Sequence, residues 1–219
     1  MVRVGDLMFV CAGNVCRSPF AERIMQHALS ELPGHGVSIA SRGLVPLEGW
    51  AIAEETAAII DALGADSSGH RARRLERSDL EKASLVLTAT ADQRSRVVQE
   101  LPRAVQYTFT VRQLGHALEH GFPQGVPTPN ETLTSRERLD FVRELVRSNL
   151  SGGSTHPEDL DVLDPFARRK KYHVMAASEM LPSLNVLAQA MGGTPIPVPD
   201  FIASAAATAR SRRGRHMRR

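Results

Sequence analysis

Residues 6–19, DLMFVCAGNVCRSP, constrain this chain more than any other stretch. The run 6–11 is apolar and has the length of a buried strand, whereas 19–32 places Ile24, Ala28 and Leu32 at helical spacing with Pro19 in the first turn. Cys11 and Arg17 bracket only the five residues AGNVC, so the segment must fold as strand, tight loop and helix.

A loop of that length can curl until several backbone N–H groups converge on one point, with the free amides and dipole of the following helix adding to the field. Such a nest binds a dianion. Gly13 clears the side chain where backbone must approach closely, and Asn14 tolerates a left-handed turn. Arg17 supplies a planar fork matching two phosphate oxygens, and a sulfur held in that positive field is a thiolate nucleophile. The plainer reading of the same residues is a cysteine that ends a buried strand beside a helix start.

The remaining pattern supports the nest. Strands are expected at 36–41, 83–89 and within VQYTFT (105–110); helices are expected at 54–64, closed by Gly64, and at 91–101, with a helical turn at 78–82. Alternation of this kind implies a three-layer α/β domain, a four-stranded parallel sheet covered by helices on both faces. Ligands of such sheets sit beyond the strands' carboxyl ends, where the 11–18 loop lies. Residues 120–134 and 151–161 read as loops, and 135–150 as an amphipathic helix with Leu139, Val142, Leu145 and Val146 on one face. The stretch 171–191 reads as a long helix that Pro182 should kink or break. The expected division is one domain over 1–192, with an extended segment and mobile basic tail over 193–219.

Composition limits the setting. A chain of 219 residues builds a core without disulfide or metal, and two neighbouring cysteines do not make a secreted disulfide framework, so a reducing cytoplasm is expected. The initial apolar run is too short for a signal peptide or a membrane span. Six of the 27 Lys and Arg fall in the last ten residues, leaving 21 against 24 Asp and Glu elsewhere. That tail could touch acidic lipid by charge alone, yet no aromatic interleaves its arginines, and no specific nucleic-acid function follows.

CAGNVCRSP resembles the signature of the low-molecular-weight protein tyrosine phosphatases, with strand, loop and helix in the required order. The resemblance covers about 4–112 and 160–191. It implies a metal-independent enzyme without cofactor that acts on phosphotyrosine in proteins or on small aryl phosphates, and whose loop accepts inorganic phosphate or sulfate. Cys11 would attack phosphorus; Arg17 and the loop Ala12, Gly13, Asn14, Val15 and Cys16 would hold the phosphoryl oxygens, and Ser18 would bond the departing sulfur. A general acid is also needed, and the family keeps it in a late Asp-Pro pair. Asp164–Pro165 fills that place, with Asp161 as the runner-up after Glu158 and Asp159. Ser41, in ASRG, and His70, in SSGHRARRL, would lie beneath the loop as partners of Asn14. Cys16 would either protect Cys11 through a reversible disulfide or serve as a small buried side chain.

Departures separate the alternatives. Pro46, Leu47 and Glu48 stand where the family often has an aromatic before the Gly aligned with Gly49; Trp50 follows it, and Phe166 and Ala167 replace a tyrosine pair. Thioredoxin-coupled arsenate reductases of this fold use two further cysteines downstream, and no cysteine follows Cys16. Protein arginine phosphatases carry Thr where this chain has Val15. A module that only binds phosphoproteins would need neither Cys11 nor Asp164. The region 113–160 is an insertion relative to the family; its helix could cover the site, dock a partner or pack.

Overall fold

A computed structural model describes residues 5–32, 37–122, 124–127, 133–150 and 160–206. Four parallel strands, β1 (Leu7–Cys11), β2 (Ile39–Gly43), β3 (Leu85–Thr88) and β4 (Thr108–Thr110), form one sheet in the order β2-β1-β3-β4. In register, Phe9 faces Ser41 on one side and Leu87 on the other, and Cys11 is level with Gly43.

Strand alternation sorts the core into two layers. Leu7, Phe9 and Cys11 point into the larger one, beneath α1 (Arg17–Ala28), α2 (Glu54–Ala62), α5 (Val111–Gly121), α6 (Ser135–Asn149) and α7 (Lys170–Ala190). Met8, Val10 and Val86 point into the smaller one, closed by Leu80 of α3 (Arg77–Lys82) and Val97 of α4 (Ala91–Glu100). The three-layer α/β architecture is therefore as the sequence implies.

Several elements differ from expectation. β2 begins three residues late because Ser38 is occupied by Asp6, whose Oδ2 accepts from both its amide and its hydroxyl. It then runs on through polar Ser41 and Arg42 to pair with the end of β1. A 3-10 turn (Pro102–Gln106) takes the first part of the run expected as the fourth strand. Helix α5 was not legible, since Gly115 weakens the pattern, although Thr110 and Gln113 form a capping box at its start. Gly115 is needed for contact: a Cβ there would fall on Ser183 of α7.

Pro182 does not break α7, which runs unbroken from Lys170 to Ala190. Interior proline costs about 3 kcal/mol. Its ring is exposed, while Met180, Leu181, Leu184 and Leu187 are each at most 1% exposed, and burying large apolar side chains is worth about 1.5–3 kcal/mol apiece. Packing therefore outweighs the local penalty.

Of the three roles open to α6, packing accounts for its apolar face: Leu139, Val142 and Val146 are fully buried. The segment after Gly192 is less extended than expected. Thr194 N–H donates to Ala28 O, Asn185 holds Ile196 through both its amide and carbonyl, and Ile202 is buried on a helical stretch over 200–206. Residues 151–159, with Glu158 and Asp159, and 207–219, with the arginine run, lie outside the described residues. Among the described residues no helix is long and apolar enough to cross a membrane.

Candidate active site

The loop between β1 and α1 is organised by Asn14. Its φ of 55° lies in the left-handed region, which Asn occupies more readily than most residues. The Asn14 amide N–H points back at Cys11 Sγ, 3.3 Å away. Its side-chain Nδ2 donates to Ser18 Oγ (3.0 Å) and Ser41 Oγ (2.9 Å), while Oδ1 accepts from Arg73 N–H (2.9 Å). The Asn14 carbonyl accepts from His70 Nε2 at 2.8 Å, which fixes the tautomer with the proton on that nitrogen. Gly43 closes the back of the loop; a Cβ there would stand 2.7 Å from Ala12 O.

Cys11 Sγ lies 3.0 Å from Ser18 Oγ. Because Asn14 already donates to that hydroxyl, its single proton is left for the sulfur or for Arg42 O at 3.3 Å. Cys16 at the N-cap of α1 makes no side-chain cap, and the helix has no acidic residue in its first turn, so its leading amides keep their positive field.

Arg17 carries the electrostatics. Its side chain is 5% exposed; one guanidinium nitrogen donates to Val162 O (3.2 Å), another meets Asp164 Oδ2 at 2.9 Å, and Nε–H has no acceptor among the described residues. Asp164 itself is half-exposed, and its Oδ1 accepts from Phe166 N–H in a tight turn. Asp161 is placed otherwise: its Oδ1 accepts from Ala91 N–H (2.7 Å) at the start of α4.

Ser41 and His70 both sit beneath the loop, and Glu22 joins them. Ser41 Oγ donates to Glu22 Oε2, which also faces His70 Nδ1 at 3.8 Å. Burial holds the His70 pKa below the usual histidine value, against the opposing pull of Asn14 O and Glu22. On the other side, Cys16 is buried and burial pushes its thiol up to about 12, despite a hydrogen bond with Thr56. Thr56 Oγ1 in turn meets His173 Nδ1 at 2.8 Å. Trp50 and Phe166 are both exposed.

The sequence model of the family described as low molecular weight phosphotyrosine protein phosphatase matches residues 6–155 of this chain. The chain belongs to that family. A low molecular weight protein-tyrosine-phosphatase of Acinetobacter johnsonii is 32% identical over 111 residues, 51% of this chain and 72% of the relative. A protein-arginine-phosphatase of Geobacillus stearothermophilus is 31% identical over 107 residues, 49% of this chain and 69% of the relative. The solved YwlE arginine phosphatase from Geobacillus stearothermophilus shares the fold, with a TM-score of 0.58 and 24% identity over 83% of this chain and 88% of that one.

Within this phosphatase domain, sequence reasoning missed Glu22, Gly43 and the Thr56–His173 pair. Glu22 had a faint signal, lying four residues after Ser18 on the same helix face. Gly43 ends the ASRG stretch, but its contact comes from sheet register, and the Thr56–His173 pair had no signal, since the docking of α7 brings it to the loop.

Proposed function

We propose that this phosphatase hydrolyses aryl phosphate monoesters, phosphotyrosine in proteins first among them, by way of a phosphocysteine on Cys11. Arg17 carries the proposal: a buried guanidinium whose Nε–H has no acceptor among the described residues, held between the nucleophile's loop and Asp164. An oxygen of the substrate dianion supplies the missing acceptor, and the amides of residues 12–18 with the α1 dipole supply the remaining charge.

In the first step Cys11 sulfur attacks phosphorus, the S–P bond forms, the P–O bond to the phenol breaks, and Asp164 gives its proton to the leaving oxygen. A phosphoryl group holding Arg17 exchanges for Asp164, freeing the carboxyl to face that oxygen. In the second step Asp164 takes a proton from water, the hydroxide oxygen bonds phosphorus, and the sulfur departs with its electron pair, steadied by Ser18 O–H and Asn14 N–H. Inorganic phosphate is the product. Asp161, engaged at the start of α4, is a positioning group for that helix.

Cys11→Ser and Arg17→Ala should each abolish turnover of p-nitrophenyl phosphate with the circular dichroism spectrum unchanged, and acid-quenched Asp164→Ala enzyme should carry a phosphoryl group on Cys11. Turnover retained by Cys11→Ser would refute the mechanism. Hydrolysis of phosphoarginine is the second reading, favoured by the 31% identity to a protein-arginine-phosphatase. Val15, which lines the loop and offers no hydroxyl, favours the aryl ester. Phosphotyrosine, phosphoserine, phosphoarginine and arsenate assayed side by side decide between them.

A further inference from the structure

Outside its last ten residues the chain carries fewer Lys and Arg than Asp and Glu, yet its cations gather beside the loop. One group follows the acid directly. Arg168, Arg169, Lys170 and Lys171 are consecutive and exposed, and they begin four residues after Asp164. Arg168 and Lys171 lie over the Tyr172 ring at 5.2 and 5.1 Å, and a depression of about 330 Å³ opens between them. None of the four makes an ion pair with a described carboxylate, and they crowd the first turn of α7, which has no acidic residue and no side-chain cap. Cations at that end oppose the helix dipole, so their placement lowers the helix's own stability.

The second group lies on the other side. His70 and the Arg73 amide bond to Asn14, so Arg71 and Arg73 are fixed beside the loop, exposed, with buried Ala72 between them. They border a groove of about 510 Å³ in which Arg42 is neutralised by Asp79 and Arg74 by Glu48. Among the described residues Arg71 bonds only the adjacent His70 carbonyl, and Arg73's side chain has no partner. The loop is thus flanked, among the described residues, by two groups of excess positive charge, the second offset in part by Glu76, which also lines its groove.

Resting on the phosphatase reading, we infer that the preferred substrates carry the phosphorylated residue within an acidic stretch of chain, whose carboxylates lie on these two groups while Arg17 holds the phosphoryl group. Exposed charge of this kind steers and orders an extended anionic peptide, adds little for a small aryl phosphate, and weakens with salt.

The test compares p-nitrophenyl phosphate with two phosphotyrosine peptides, one flanked on both sides by Glu and Asp and one by Gln and Asn. Wild type should favour the acidic peptide in kcat/KM by about tenfold near 50 mM salt, the effect of a few exposed ion pairs, and lose most of that preference near 500 mM. Arg168→Gln/Arg169→Gln/Lys171→Gln and Arg71→Gln/Arg73→Gln should each reduce the preference, and their combination should erase it, with p-nitrophenyl phosphate turnover within twofold of wild type. Equal kcat/KM for the two peptides in wild type, or a preference that survives the combined variant, overturns the inference. So does loss of anionic-vesicle binding in the variants without any peptide preference. Should wild type hydrolyse no phosphate ester, the reaction itself fails, and anisotropy titrations of the same two peptides still decide the preference.

Discussion

Asn14→Ala tests the loop's internal order. Three side-chain hydrogen bonds disappear, the buried ones to Ser18 and Ser41 and the part-buried one to the Arg73 amide. At about 0.5–1.5 kcal/mol net each, they amount to about 2–4 kcal/mol. Alanine must also hold the φ of 55°, which adds about 1 kcal/mol, for a total near 3–5 kcal/mol. Against a typical domain stability of about 5–15 kcal/mol the protein stays folded, and urea unfolding should show the loss at unchanged m-value. Turnover of p-nitrophenyl phosphate should fall about 100-fold in kcat/KM, because the Cys11–Ser18 geometry loses its anchor. Asn14→Gly separates the two contributions: it relieves the backbone and should recover about 1 kcal/mol while remaining as inactive. A loss under 1 kcal/mol in the alanine variant, or a glycine variant no more stable than alanine, would show that the Asn14 network does not hold the loop.

Asp164→Asn should slow turnover of poor phenol leaving groups far more than of activated ones, whereas Asp161→Ala should leave that dependence intact and cost about 1 kcal/mol at the start of α4, read by urea unfolding. For His70, whose pKa is depressed in the fold chiefly by burial, the unfolded chain binds the proton more readily. Its contribution to stability is therefore full above about pH 6.5 and lost as pH falls below it toward the folded value. The urea midpoint should drop as pH falls below about 6.5 in wild type, and less in His70→Gln, which keeps a donor for Asn14 O. Pro182→Ala restores a helix N–H at an exposed position of α7 and should raise stability by about 1–2 kcal/mol, the helix gain reduced by the looser unfolded chain. A lower urea midpoint for that variant would mean that the ring packs or directs the helix.

Much of the site was legible before any fold. The segment from Cys11 to Ser18 states its chemistry through adjacent residues, because a nest needs only consecutive backbone amides, one permissive left-handed position and a helix start. Asp164 was legible as a residue type beside proline. Its preference over Asp161 rested on the Asp-Pro pair alone, and in the fold the bonds to Arg17 and to Ala91 N–H separate the two. Helix α5 escaped notice because its glycine reads as a breaker until Ser183 of α7 is seen to require it. Pro182 misled in the opposite sense, since its local penalty is visible in sequence whereas the buried leucines that outweigh it count only after packing.

By itself, then, the sequence determined a sulfur, a guanidinium and a dianion nest on one strand–loop–helix unit, all set by neighbours in the chain. Tertiary structure decided which carboxylate meets Arg17 and which serine, histidine and glutamate brace Asn14. Those contacts join residues as many as 147 positions apart, Arg17 and Asp164, and a parallel sheet fixes their pairing only when its crossovers close.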